Sequence, residues 1–419
     1  MDPLNLLPYP LPRPALSRWS TRLGAGLGVA ALIGLAVLAG CGGGGGDAGS
    51  SGAAASGGTV TASAAAYTEG TITGFGSVIL NGTRFDDSSA SVTDDSGTVR
   101  TLSALKLGMR VEVASTAVAS DGTAKASKFS FGSRVVGPVT AVGGSTLTVL
   151  GQTIDIVAAT VFDSSTLPGG LADITTASVI EVHGLPDSAT GHILATRIEN
   201  ASSATSYKLR GTLTGLDTTA KTFNIGGAAI SYASATLQPS TLALAENLVV
   251  RVVLATTPTS GRWSATSVGS TGRDATTGTA AHVRGTVSAL DSTAKTFSVD
   301  GLKVDYSGVT SVPATLADGV EVDVVGTVSN SVLVATAVTL KEEARGRHDD
   351  RFEVHGAITA VDSVAKTFTL RGLTIDYSGT VTYTGGTEAG LIVGAKVEVK
   401  GSVGSTRTTV LASTIKFEN

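Results

Sequence analysis

With 419 residues the chain exceeds the usual size of one domain, so several domains are expected. It carries 30 basic against 34 acidic residues; without the segment before Cys41, which holds Arg13, Arg18 and Arg22 against Asp2, the balance is 27 against 33. A mildly acidic chain with scattered Lys and Arg lacks the electrostatic footprint of phosphate-backbone binding, which argues against nucleic acid as a partner. Cys41 is the only cysteine, which excludes an intrachain disulfide, a Cys-rich zinc site and a CxxC redox pair.

The first 40 residues read as a leader. Three arginines precede an apolar stretch from Leu23 to Leu38, and Leu38, Ala39, Gly40 and Cys41 follow, then a run of glycines. The competing reading is a single membrane-spanning helix, but the stretch is shorter than the ~20 apolar residues required and is broken by glycine. The Leu-Ala-Gly-Cys tetrapeptide resembles the lipobox of bacterial lipoproteins. That resemblance implies cleavage after Gly40 and lipidation of Cys41, and Gly42 in place of Asp points by analogy to the outer membrane. Several acyl chains hold a protein durably where one holds it only marginally. Residues 41–66, almost entirely Gly, Ala, Ser and Thr, are too poor in large apolar side chains to build a core and read as a flexible tether. About 25 such residues span roughly 25–30 Å.

Repeats fill the remainder. Leu209, Val283 and Val354 open three similar segments, LRGTLTGLDTTAKTFNIGG, VRGTVSALDSTAKTFSVDG and VHGAITAVDSVAKTFTLRG. Two more diverged units precede them, giving repeats over 67–132, 133–200, 207–269, 282–341 and 352–419. Apolar residues alternate within each, as in Val320, Val322 and Val324, which is the period of a strand with one buried face. Asp217, Asp291 and Asp362 are expected to close hairpins by accepting from backbone N–H groups. The recurring Phe223, Phe297 and Phe368 are expected in the core. Gly137, Gly211, Gly285 and Gly356 recur in the first strand at spacings of 74, 74 and 71 residues and are expected to mark a bulge or bend.

The predicted fold class is therefore all-β: a tandem array of about five small five-stranded barrels, OB-like or SH3-like, after a disordered leader and tether. A single continuous sandwich or solenoid is the alternative. Units of about 65 residues without disulfides are marginal alone, so neighbours are expected to pack. The first two, with almost no linker around Ser133, are expected to dock rigidly, and the later joints to flex.

The opening of the first repeat, GTITGFGSVILNGTRFD from Gly70, with LKLGMRVEV from Leu105, resembles the bacterial domain of unknown function numbered 5666, and the later repeats look like further copies. The stretch Thr73 to Phe85 carries the resemblance most specifically; the second and third repeats depart from it most. The family implies repeats in secreted or lipid-anchored proteins and no established activity.

Catalytic and metal-binding patterns are sparse. Ser103 and Lys106 form an S-x-x-K pair without its companion motifs, and no G-x-S-x-G elbow exists. His348, Asp349, Asp350 and His355, with Glu353, form the densest set of candidate ligands for a divalent ion, against the competing reading of a salt-bridging linker. Asp86, Asp87, Asp94 and Asp95 bracket a Ser-rich loop without calcium-loop spacing. Phe75, between Gly74 and Gly76, is expected to be a core plug rather than an exposed contact. Trp263 is the only tryptophan beyond the leader, leaving few stacking platforms for sugars or bases. No catalytic residue, bound metal or cofactor is expected. The leading expectation is a non-enzymatic envelope lipoprotein whose membrane partner is reached through Cys41 and whose repeats serve as spacer or scaffold for proteins or polysaccharide. An OB-like oligosaccharide- or peptide-binding protein is the alternative, and an enzyme would require an Asp/His constellation brought together by folding.

Overall fold

A computed structural model describes residues 65–80, 82–187, 190–270, 280–299, 302–318, 320–330, 332–340 and 351–418. The leader, with Leu38, Ala39 and Gly40, and Cys41 and nearly all of the tether, lie outside the described residues, as do His348, Asp349 and Asp350. The tether reading runs two residues too far, because Ala65 and Ala66 already belong to the first strand.

The five strands of barrel 1 are Ala65–Phe75, Val78–Leu80, Thr83–Asp86, Arg110–Thr116 and Thr123–Phe131. Barrel 2 uses Val135–Val142, Thr146–Val149, Gln152–Phe162, Val179–Pro186 and Ile193–Asn200. Barrel 3 uses Tyr207–Asp217, Thr222–Ile225, Ala228–Ser231, Val249–Leu254 and Trp263–Ser270. Barrel 4 uses Ala280–Asp291, Thr296–Val299, Leu302–Asp305, Glu321–Ser329 and Val332–Leu340; barrel 5 uses Arg351–Asp362, Thr367–Leu370, Leu373–Asp376, Lys396–Val403 and Thr409–Phe417. Among the described residues no helix is long and apolar enough to cross a membrane.

Every barrel closes in the same way. In barrel 5 the first strand pairs with the second, the second with the third, the third in parallel with the fifth, the fifth with the fourth, and the fourth with the first. The ring order 1-2-3-5-4-1 recurs in the other four. This is OB-type closure, which decides between the two barrel classes the sequence left open. Closing the ring satisfies the edges that a five-stranded sheet would otherwise expose.

Local chemistry explains the hairpins. Asp217, Asp291 and Asp362 each accept from two backbone N–H groups, at 2.8–3.0 Å, from the residues two and three positions on. Lys221, Lys295 and Lys366 then take positive φ, and their carbonyls accept from the N–H of Tyr232, Tyr306 and Tyr377. Phe223, Phe297 and Phe368 are buried and lie 5.5–5.8 Å from those same tyrosine rings. Burying each phenyl ring is worth about 1.5–3 kcal/mol, so the motif secures turn and core together.

The recurrent first-strand glycines do something other than expected. Gly137 and Gly211 pair regularly with the fourth strand, and the register shift comes two or more residues later. A Cβ at either would come within 2.4 Å of Leu150 or Ile225, so the missing side chain makes room for a core residue. The first strands bulge a few residues further on, as at Thr140 and Thr359, and a second bulge sits in the fifth strand, at Thr196, Thr336 and Ser413, opposite Gly184, Gly326 and Gly401 of the fourth. A Cβ on Gly401 would stand 2.1 Å from the Leu411 carbonyl oxygen.

The barrels are joined mainly by their first strands, and not in chain order. Ala66 to Glu69 of barrel 1 pair in parallel with Ala280 to Val283 of barrel 4. Gly74 and Phe75 pair in parallel with Glu353 and Val354 of barrel 5. Val135 and Val136 of barrel 2 pair with Leu209 and Lys208 of barrel 3. Each long first strand thus leaves part of one edge unpaired within its own barrel, and another barrel covers it. The later units are therefore not independent beads, in contrast to the expected flexing joints.

Side chains reinforce these joins. Buried Arg197 of barrel 2 donates to the Leu107 carbonyl of barrel 1 at 3.1 Å, and Arg407 of barrel 5 donates to the Val157 carbonyl of barrel 2 at 3.0 Å. Apolar residues of barrels 1 and 5 form one continuous core, those of barrels 2 and 3 a second, and barrel 4 with Tyr67 a third.

Candidate functional site

A cleft of about 280 Å³ opens between barrels 1 and 3. Charged strands form its walls, with Arg110 and Lys128 beside the carboxylates on the barrel 1 side. On barrel 1, Glu69 of the first strand stands opposite Glu112 of the fourth, and Glu112 opposite Ser130 of the fifth. On barrel 3, Arg210 of the first strand stands opposite Arg251 of the fourth. Like charges directly opposed across a ladder are unfavourable, and each wall holds such a pair.

The floor is tied down by ion pairs. Arg110 donates to Glu69 at 3.0 Å, with both residues buried at 9% and 2% exposure. Lys208 of barrel 3 reaches back to Asp95 of barrel 1 at 2.8 Å. Asp94 folds the adjoining hairpin by accepting from Ser96, Thr98 and Arg100; burial pushes its carboxyl up, but these bonds outweigh it and bring the pKa down to about 2. The side chains of Glu112 and Arg251, both half-buried residues, make no hydrogen bond or ion pair among the described residues.

A second cluster contains His355. Its Nε2 lies 2.7 Å from Glu353 and its Nδ1 2.9 Å from Glu418, while Arg84 of barrel 1 pairs with Glu353. Glu353, His355 and Glu398 each offer a ligand atom within 4.8 Å of the others. The sequence grouped His355 with His348, Asp349, Asp350 and Glu353; the described structure keeps Glu353, on the same strand, and adds Glu398 and Glu418 from distant segments. Those carboxylates already face cations. Lys400 lies 3.2 Å from Glu398 and 3.6 Å from Glu353, and Lys416 lies 3.5 Å from Glu398. Three cationic side chains balance three carboxylates, which is the chemistry of a clamp between barrels 1 and 5. Burial pushes Glu353 up, but bonds from His355 and Arg84 outweigh it and hold it below the ordinary carboxylate range.

The remaining candidates fall into structural roles. Ser103 pairs with the Thr101 hydroxyl at 2.8 Å. Asp86 caps its own turn through Ser88. Phe75 is buried in the core shared by barrels 1 and 5, with the Arg371 guanidinium 5.9 Å from its ring centroid. His183 points away from the core of barrel 2, where Val182 lies, yet is 0% exposed, with its Nε2 3.4 Å from Glu181. Glu69, Glu112, Arg210 and Arg251 carried no motif, and their only signal was charge at outward positions of otherwise apolar strands.

Three segments, 136–199, 284–339 and 355–416, match the sequence model of the family described as Domain of unknown function (DUF5666). The chain carries DUF5666 repeats. The matched segments are barrels 2, 4 and 5, the units whose fourth strand carries a glycine opposite the fifth-strand bulge. Barrel 1, whose opening carried the resemblance in sequence, is not among the matched segments, and the second repeat, read as one of the most diverged, is. No curated protein matches the chain. The matched repeats thus account for barrels 2, 4 and 5, while the cleft is built from barrels 1 and 3, both outside the matched segments.

Proposed function

We propose that the chain is a non-enzymatic lipoprotein of the cell envelope, held on the outer membrane by acyl chains on Cys41, with its barrels acting as a spacer or interaction scaffold for proteins or surface polymers. The observation that carries this reading is the pairing of first strands between barrels, which joins distant repeats into one body. A body built this way holds its surfaces at fixed separation, as a scaffold requires.

The surface chemistry favours it over ligand grooves in every barrel. An OB groove runs over strands two and three and is walled by the loop between strands one and two. In barrels 3 to 5 that loop is a four-residue turn. The half-buried or exposed residues on those strands include Thr222, Asn224, Thr296, Ser298, Thr367 and Thr369, with no aromatic platform among them.

Crosslinking in intact cells, followed by mass spectrometry, tests the proposal when the native chain is compared with Cys41→Ser. Recovery of a defined envelope partner or polymer with the native chain, lost with the variant, is the expected result. A native chain that fractionates as a soluble protein and crosslinks to nothing in the envelope would overturn it.

A further inference from the structure

We propose that two copies of the chain join through barrel 4, the fifth strand of one pairing antiparallel with the same strand of the other about a two-fold axis. The inference does not rest on membrane anchoring or on the scaffold reading.

An open edge is the first reason. In the other four barrels a further parallel partner covers the second half of the fifth strand. Ser91–Asp94 covers 128–131 in barrel 1, Thr236–Gln238 covers 267–269 in barrel 3, and Thr382–Thr384 covers 414–416 in barrel 5. In barrel 2, Val161 and Phe162 lie beside Arg197 and Ile198. Barrel 4 differs: among the described residues its fifth strand pairs on that side only over 332–334, and 337–340 pair with the fourth strand alone. The loop that supplies the extra strand explains the difference. It spans 306–320 in barrel 4, against 232–248 in barrel 3 and 377–395 in barrel 5. Counted from the shared tyrosines Tyr306 and Tyr377, Pro313 stands at the position of Thr384, and proline has no N–H to give to a ladder. Val312 beside it is left 37% exposed. A strand edge with free N–H and C=O groups is a template for another strand.

Charge is the second reason, and it selects the partner. A two-fold axis sets each residue of the edge near its own copy, so a charge there would meet its like. The strand Val332–Leu340 carries no charge, and its exposed residues Val334, Thr336, Ala337 and Thr339 are small or β-branched. Val325 and Thr327 of the fourth strand, both exposed, continue this uncharged face. At the position of Ala337 barrel 1 carries Lys128, and at the position of Thr339 barrel 5 carries Lys416. Lysine on an edge blocks pairing between chains, and the barrel whose edge is open is without it.

Sedimentation velocity across a concentration series tests this on the full chain carrying Cys41→Ser, which removes acyl chains as a cause of association. The same chain with Ala337→Lys and Thr339→Lys is the comparison. The first chain is expected to dimerise, and the lysine variant to do so about tenfold more weakly or not at all. Barrels 1 and 5 fold with lysine at these positions, and thermal melting checks that the variant does too. Amide exchange over 337–340 is expected to slow as the first chain is concentrated, a readout that needs no variant and decides alone if the variant misfolds. A chain that stays monomeric throughout the series, a dimer unchanged by the two lysines in a folded variant, or exchange over 337–340 that does not follow concentration would overturn the proposal.

Discussion

Arg210 lies directly opposite Arg251 across the antiparallel first and fourth strands of barrel 3, and Arg251 has no acidic partner among the described residues. Two guanidiniums in that register repel, and Arg251 carries that cost in the folded chain. Arg251→Gln is therefore expected to raise the urea midpoint at low salt, by the equivalent of about 0.2–1 kcal/mol, with the gain shrinking at 1 M salt. A variant less stable than the native chain would mean that a carboxylate already neutralises Arg251.

Barrel 5 packs closely against barrel 1 at Gly74. A Cβ there would stand 2.2 Å from the Glu353 carbonyl oxygen and 2.8 Å from the Ile79 side chain. Gly74→Ala is expected to cost about 1–3 kcal/mol and to speed amide exchange in Gly74–Phe75 and Glu353–Val354. Unchanged exchange in both segments would show that these strands do not pair.

The Arg84–Glu353–His355 clamp gives that same join a pH dependence. Glu353 is held below its ordinary value of 4.5, so its contribution is present above that value and is lost as pH falls through the lower, folded value. Stability is expected to fall more steeply below about pH 4.5 in the native chain than in Glu353→Gln. Superimposable pH profiles would remove Glu353 from the clamp.

Phe368 belongs to a core that runs continuously through barrels 1 and 5. Phe368→Ala is expected to cost about 3–5 kcal/mol and to lower the midpoints of both barrels together. Loss confined to barrel 5, read by exchange of core amides in each barrel, would show two separate cores.

The repeated Asp-x-x-Ala-Lys-Thr-Phe segment was legible because turn and core are both local: the carboxylate reaches its own backbone and the ring follows at once. Alternation in strands such as Val397 and Val399 was legible for the same reason. Barrel class was not, because the parallel pairing of Thr374–Asp376 with Thr409–Leu411 joins residues 35 apart with no local signature. A glycine in sequence likewise does not say whether it relieves a bulge, as Gly401 does, or admits a side chain, as Gly211 does. The cleft was hidden most deeply. Glu112 and Arg251 are ordinary outward charges until two separate barrels face each other. His355 lies in a charged group, and its partners Arg84 and Glu418 stand 271 and 63 residues away in sequence, with no local signal to announce them.

Joining of distant repeats into one body is most directly tested by electron–electron double resonance on the full chain, with spin labels replacing exposed Val99 of barrel 1 and Val364 of barrel 5, which are 75% and 94% exposed. First-strand pairing, a shared core and the Glu353 clamp together require a single narrow distance distribution that broadens below about pH 4.5. A broad distribution at neutral pH, as five barrels on flexible linkers would give, would contradict the fixed arrangement on which the scaffold rests.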